Sequence, residues 1–264
     1  ANLQKGDVLV AVNGERIDPK MNREGYLASA IKNPEVKMTF SRAGKEVEIK
    51  LHTVTYAQVK NWLYNEWEDT NRALVDRLGD GQIAYTHMRD MGSEELNEFL
   101  KDMHTRTLGK KAIIIDLRYN NGGNVHNEVL EFLSQKAHYQ WAYRDFPSNS
   151  HPNVTPGDIP IIALVNERSL SDAEVTSNGI QTLGLATIVG TETYRWIIFT
   201  SGTTLLDGSY LRLPAWGCYS LDGKDLESTG VKPDIYVKNT FEDRLKGRDP
   251  QLERAIEEAL KRIK

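Results

Sequence analysis

The rhythm of apolar and polar positions changes near residue 55. Before that point short runs carry the two-residue period of half-buried strands. Asp7-Val8-Leu9-Val10-Ala11-Val12 predicts a strand that ends at the tight-turn pair Asn13-Gly14. Val36–Phe40 and Val47–Leu51 flank Ala43-Gly44-Lys45 and predict a hairpin. With one short helix, residues 1–54 read as a small β-rich domain. From residue 56 the period lengthens. Val59, Leu63, Trp67, Ala73 and Leu74 predict a long helix that stops near Gly79-Asp80-Gly81. Strands then alternate with helices. The strands are Ile83–Thr86, Ala112–Leu117, Ile161–Val165 and Ala186–Val189, and the helices are Glu94–Met103, Val125–Leu133 and one after Ser171. That alternation predicts an α/β domain over residues 55–264 with parallel strand pairing. Residues 202–237 return to short strands and turns, and a charged helix runs from Pro250 to Ile263.

Candidate chemistry lies in two loops that follow strands of the α/β part, the ends at which open sheets gather ligands. The first is Asp116-Leu117-Arg118-Tyr119-Asn120-Asn121-Gly122-Gly123-Asn124. Paired glycines let backbone N–H groups approach an anion with no Cβ in the way. The second is Asn166-Glu167-Arg168-Ser169-Leu170-Ser171-Asp172-Ala173-Glu174, directly after the apolar run Ile161–Val165. Strand, sharp turn and helix start can lift the Ser171 hydroxyl out of a sheet and set it among unpaired N–H groups. Ser171 and Glu174 also have the S-x-x-E spacing of a capping box, so the same serine reads equally as a helix N-cap. If the two strands are neighbours, the loops can together form an oxyanion hole.

Composition narrows the classes. At 264 residues the chain can bury a sizeable core, and 39% hydrophobic with 27% charged residues is a globular balance. A net charge of −4 leaves no basic footprint for nucleic acid. No apolar run approaches the ~20 residues that span a bilayer. The single cysteine, Cys218, excludes an intrachain disulfide and reads as structural and half-buried. The six histidines are His52, His87, His104, His126, His138 and His151, and no two have the i, i+4 spacing of a zinc peptidase. Neither a metal nor a cofactor is expected. The opening residues lead straight into a strand as if the chain began inside a domain, and the compartment, periplasmic, extracytoplasmic or cytoplasmic, stays open.

Taken together, Asp116-Leu117-Arg118-x-Asn120-x-Gly122-Gly123 and Asn166-Glu167-x-Ser169-x-Ser171-Asp172 resemble the carboxy-terminal processing, or tail-specific, serine peptidases. The tricorn-like branch is the more similar. It shares the serine-aspartate pair, Gly184-Leu185-x-x-x-Val189-Gly190-Thr191, Glu227-x-x-Gly230-Val231-x-Pro233-Asp234 and Gly247-Arg248-Asp249-Pro250-Gln251-Leu252. The similarity covers most of the chain after residue 80, and residues 1–54 resemble the latter part of a PDZ domain. The resemblance implies a crotonase-like α/β catalytic domain that cleaves peptides or unfolded protein. Ser171 would be the nucleophile. The N–H groups of Asp172 and of Gly122 or Gly123 would hold the oxyanion, and Glu227 would orient the serine–histidine network. A homo-oligomer is compatible with it.

Two departures stand out. The processing branch carries a lysine one strand and turn beyond the serine, where this chain has Thr193-Tyr194-Arg195-Trp196-Ile197. Arginine stays protonated at working pH and cannot act as the base. The tricorn branch takes a histidine from a segment before the PDZ domain, which residues 1–264 do not contain; His126 and His87 are the histidines that could approach the site. Related sequences tend to carry glycines at Arg195-Trp196, where bulk would reshape the cleft. The alternative functions are a non-catalytic binding protein on the same fold and an adaptor acting through the PDZ-like part.

Overall fold

A computed structural model describes residues 3–28, 35–151 and 159–263. The chain divides into two compact units, residues 1–67 and 68–264. The first contains an antiparallel sheet of β1 (Val8–Val12), β2 (Glu15–Arg16), β3 (Glu35–Arg42) and β4 (Lys45–His52) in the order β2-β1-β3-β4, with the short helix α1 (Arg23–Ala28). Ala43 and Gly44 both have positive φ, which matches a two-residue hairpin turn between β3 and β4. Val12 and Val36 form a small core with Leu9, Ile17, Tyr26 and Met38. The Arg42 guanidinium grips Asp7 through Nε (2.8 Å) and Nη2 (2.7 Å). Those hydrogen bonds, aided by the Gln4 N–H, hold the Asp7 carboxyl at about 2.

The second unit starts within α2 (Tyr56–Leu78) and is a five-stranded parallel sheet between helices. Its elements are β5 (Ile83–His87), α3 (Ser93–Thr105), β6 (Ala112–Asp116), α4 (His126–Ser134), the hairpin β7 (Tyr139–Trp141) and β8 (Asn149–His151), β9 (Ile161–Val165), α5 (Asp172–Thr182) and β10 (Thr187–Gly190). A second hairpin, β11 (Phe199–Thr204) and β12 (Tyr210–Trp216), precedes α6 (Leu226–Thr229), β13 (Ile235–Tyr236), α7 (Phe241–Leu245) and α8 (Pro250–Arg262). The sheet order is β13-β10-β9-β6-β5, and every pairing in it is parallel.

Both faces of this sheet are covered, which is why its strands read as unbroken apolar runs. On β6 and β9, Ile113, Ile115, Ile161, Ala163 and Val165 point to one side. There they meet Phe99 and Met103 of α3, Val129 and Phe132 of α4, and Ala173 and Ile180 of α5. Ala112, Ile114, Ile162 and Leu164 point to the other side and meet Val75 of α2 and Leu252, Ala255, Ile256 and Ala259 of α8. The last four fall at i, i+3, i+4 and i+7, one stripe of a helix. Asp116 is aligned with Leu164, and Gly190 with Val165, so the loops after β6, β9 and β10 leave the sheet side by side.

Candidate active site

Beneath the β6 loop lies a buried polar anchor. Arg118, 1% exposed, forks onto Asp116 through Nε (2.9 Å) and Nη2 (2.7 Å) and reaches Asp249, the N-cap of α8, with Nη1 at 2.8 Å. Tyr85 Oη donates to Asp116 Oδ2 at 2.9 Å. Burial alone would raise the Asp116 carboxyl; the adjoining guanidinium reverses that and holds it below the ordinary carboxylate value. Two sequence motifs 131 residues apart are thus halves of one ion pair. His87 closes its Nε2 onto the Arg118 carbonyl at 2.9 Å, and burial lowers its pKa, so the ring is neutral and occupied.

Above this anchor the β6 and β9 loops lock together. The Leu170 N–H donates to the Asn120 carbonyl (3.1 Å), Ser169 Oγ to the Leu117 carbonyl (2.8 Å), and the Tyr119 N–H to Asn166 Oδ1 (3.2 Å). The condition set by the sequence, that the two strands be neighbours, is met. Ser171 is partly exposed at the N-cap of α5, with φ 56° and ψ −120°. An ordinary N-cap sits in the β region. A non-glycine residue in this region costs on the order of 1–3 kcal/mol, and such strain gathers at functional turns. The turn is that of a nucleophile elbow, in which a sharp strand-to-helix bend projects the hydroxyl. The capping geometry is present too: the Ser171 N–H donates to Glu174 Oε1 at 3.1 Å. Ser171 is therefore a cap by position and a strained, projecting serine by conformation.

The double glycine meets this turn directly. Gly122 is buried with φ +78°, and a Cβ on it would stand 2.6 Å from Ser171 Cβ, so only glycine fits. Its N–H is taken by Asn120 Oδ1 at 2.9 Å. Met91 pairs with the Gly122 carbonyl and the Asn124 N–H, on either side of Gly123. Among the described residues, no hydrogen bond takes the N–H of Gly123 or of Asp172. Of the two glycines expected as oxyanion donors, Gly122 has its N–H committed elsewhere, and Gly123 has the available one.

Asp172 is buried, and its carboxylate accepts from both the backbone N–H (3.1 Å) and Nδ1 (2.5 Å) of His126 at the start of α4. A carboxylate can only accept, so Nδ1 carries the proton. His126 is near the serine but turned to its neighbour; among the described residues no histidine or lysine hydrogen-bonds Ser171 Oγ. His104 packs edge-on against Phe132 and His138 against Tyr139, while His52 ends β4 in the first unit. The His151 side chain is outside the described residues.

Glu174 does more than the spacing suggested. Fully buried, it accepts from the Ser171 N–H, Thr193 Oγ1 (2.5 Å), the Arg195 N–H (2.8 Å) and the Trp196 N–H (2.8 Å). Thr193 Oγ1 in turn accepts from the Val231 N–H at 2.9 Å, which ties in the segment after α6. Glu227 is exposed on α6, its N–H capped by Asp225 Oδ1 at 3.0 Å. Cys218 is half-buried, and burial, with the negative charges of Asp225 and Glu174, pushes its thiol up, so it is a poor nucleophile. No group of histidine, cysteine, aspartate and glutamate side chains among the described residues could hold a metal.

A strained serine at a strand–turn–helix apex, beside N–H groups that no described residue takes, matches the arrangement that serine hydrolases use. The chain belongs to peptidase family S41, whose sequence model matches residues 81–237. It is 30% identical to Tricorn protease homolog 1 of Streptomyces coelicolor over 98% of this chain and 24% of that protein. It is 31% identical to the tricorn protease of Thermoplasma acidophilum over 76% of this chain and 19% of the relative. Among solved structures, the crystal structure of the tricorn protease superposes with a TM-score of 0.79 at 27% identity, covering 98% of this chain and 25% of that one. The chain thus spans about a quarter or less of the length of these relatives.

Proposed function

We propose that residues 68–264 are the catalytic part of a serine peptidase. The observation that carries this reading is the positive-φ Ser171 packed against a glycine that tolerates no side chain. In the reaction, Ser171 Oγ attacks the scissile carbonyl and passes its proton to a base. The carbonyl oxygen, now anionic, is held by the N–H groups of Asp172 and Gly123, with Gly122 giving the close approach. Collapse of the tetrahedral intermediate expels the amine, and water hydrolyses the acyl-enzyme. Glu227 orients the serine–base network. The resemblance to the tricorn-like peptidases assigns the base to a histidine from a segment outside residues 1–264. The substrate is a peptide or unfolded protein, the α/β unit is crotonase-like, the first unit is a partial PDZ domain, and the assembled protein is a homo-oligomer.

The test is labelling by a fluorophosphonate probe, read by intact mass, with Ser171→Ala as control. Labelling that disappears in the control supports the nucleophile. Absence of labelling, both in this chain and in a chain extended to the length of the relatives, would favour a binding protein on the same fold.

A further inference from the structure

Glu174 joins the serine turn to a stacked aromatic pair. Its Oε1 accepts from both the Ser171 N–H (3.1 Å) and the Trp196 N–H (2.8 Å), so those two nitrogens lie no more than about 6 Å apart, the two bonds laid end to end. Its Oε2 holds the Arg195 N–H and the Thr193 hydroxyl, which fixes the backbone on either side of Tyr194. Arg195 between the aromatics has φ 71°, a conformation that a non-glycine residue adopts only under constraint. The Tyr194 and Trp196 rings stack with centroids 5.6 Å apart and planes 29° from parallel. Both are about half exposed, at 48% and 49%. Two large rings on a backbone fixed by hydrogen bonds to a buried carboxylate, yet left open to solvent, form a surface with unspent apolar area.

The charge nearby is cancelled. The Arg195 guanidinium reaches back to Glu192 Oε1 through Nε (2.8 Å) and Nη2 (2.6 Å). Glu174 is saturated with donors. Between the two rings, then, the Arg195 charge is paired and the Glu174 carboxylate is fully engaged.

We propose that Tyr194 and Trp196 form the specificity-determining subsite beside Ser171, taking an aromatic or large aliphatic side chain of a peptide next to the scissile bond. This rests on the peptidase reading, because the bound peptide is placed by its carbonyl at Ser171. Glu174 is the positioning residue that sets the distance between nucleophile and subsite.

Binding, read apart from catalysis, tests it. Short fluorescein-labelled peptides, identical except for one residue (Phe, Leu, Ala, Lys or Asp), are titrated by fluorescence anisotropy into the Ser171→Ala chain. Phe and Leu peptides should bind about tenfold or more tightly than Ala, Lys or Asp peptides, about 1.4 kcal/mol. Adding Trp196→Ala should erase that preference, and Trp196→Phe should restore most of it. Equal binding of all five, tighter binding of the Lys or Asp peptide, no binding, or a Phe preference that survives Trp196→Ala would each overturn the proposal. Fluorophosphonate labelling of the unmutated chain and of a chain extended to the length of the relatives reads the peptidase assignment separately, so a failure of one is not mistaken for the other.

Discussion

At the scale of single residues, Gly122 and Glu174 have the sharpest consequences. A methyl group on Gly122 would meet Ser171 Cβ at 2.6 Å while φ stays at +78°, so the serine turn must move. Misplacement of a reacting group by about 1 Å costs on the order of a hundredfold. Gly122→Ala is therefore expected to slow fluorophosphonate labelling of Ser171 by about that factor, measured as a second-order rate. Glu174→Gln replaces an acceptor-only carboxylate with an amide whose NH2 faces N–H donors. Hydrogen bonds to charged groups contribute about 1.5–3 kcal/mol each, so a loss of at least about 2 kcal/mol in urea unfolding is expected, with slower labelling. The S-x-x-E spacing revealed the cap because both partners lie within one turn. It could not reveal Thr193, Arg195 and Trp196, because bonds from one carboxylate across some twenty residues leave no periodic trace. The positive φ of Ser171 was equally hidden, since serine carries no conformational mark of the kind glycine does.

Among the elements, β5, β6, β9 and α8 were legible because burial dictates their pattern. The continuous runs Ile113–Ile115 and Ile161–Val165 belong to strands covered on both sides, and the stripe on α8 packs under them. The hairpin of β7 and β8, in residues 139–151, gave no such signal: the side chains of β7 are exposed and follow no period. The ion pair from the β6 loop to α8 was visible only as two separate motifs. Removing Asp249 leaves buried Arg118 paired with Asp116 alone, a loss of about 1.5–3 kcal/mol for a charged hydrogen bond, and uncaps α8 for about 1 kcal/mol more. Asp249→Ala should lower the unfolding free energy by about that much, whereas exposed Lys101→Ala, at a surface pair, should change it by less than about 1 kcal/mol. Chemical denaturation of the two variants side by side makes the comparison.

For the molecule as a whole, three buried or paired groups titrate with the same sign. Asp116 and Asp7 are depressed by their arginine partners, and His87 is depressed by burial. In each case the folded protein binds fewer protons than the unfolded chain, so stability is gained with rising pH and lost on acidification. His87 acts first, as pH falls below about 6.5, and the carboxylates follow below about 4. Urea midpoints should fall between pH 7 and 5, and His87→Asn should flatten that limb. The first unit should hold its Asp7–Arg42 pair until the pH nears 2, seen by the Asp7 carboxyl resonance. The bond between Arg118 and Asp249 also sets an order of events in time. During synthesis the glycine loop and the serine turn leave the ribosome well before residue 249 exists. Until then the guanidinium at the base of the loop has only one of its two carboxylates, and the loop is held less firmly. A nascent or clipped chain ending before α8 would carry every residue of the serine turn and still lack one of the two carboxylates beneath it, so reactivity would arrive with α8.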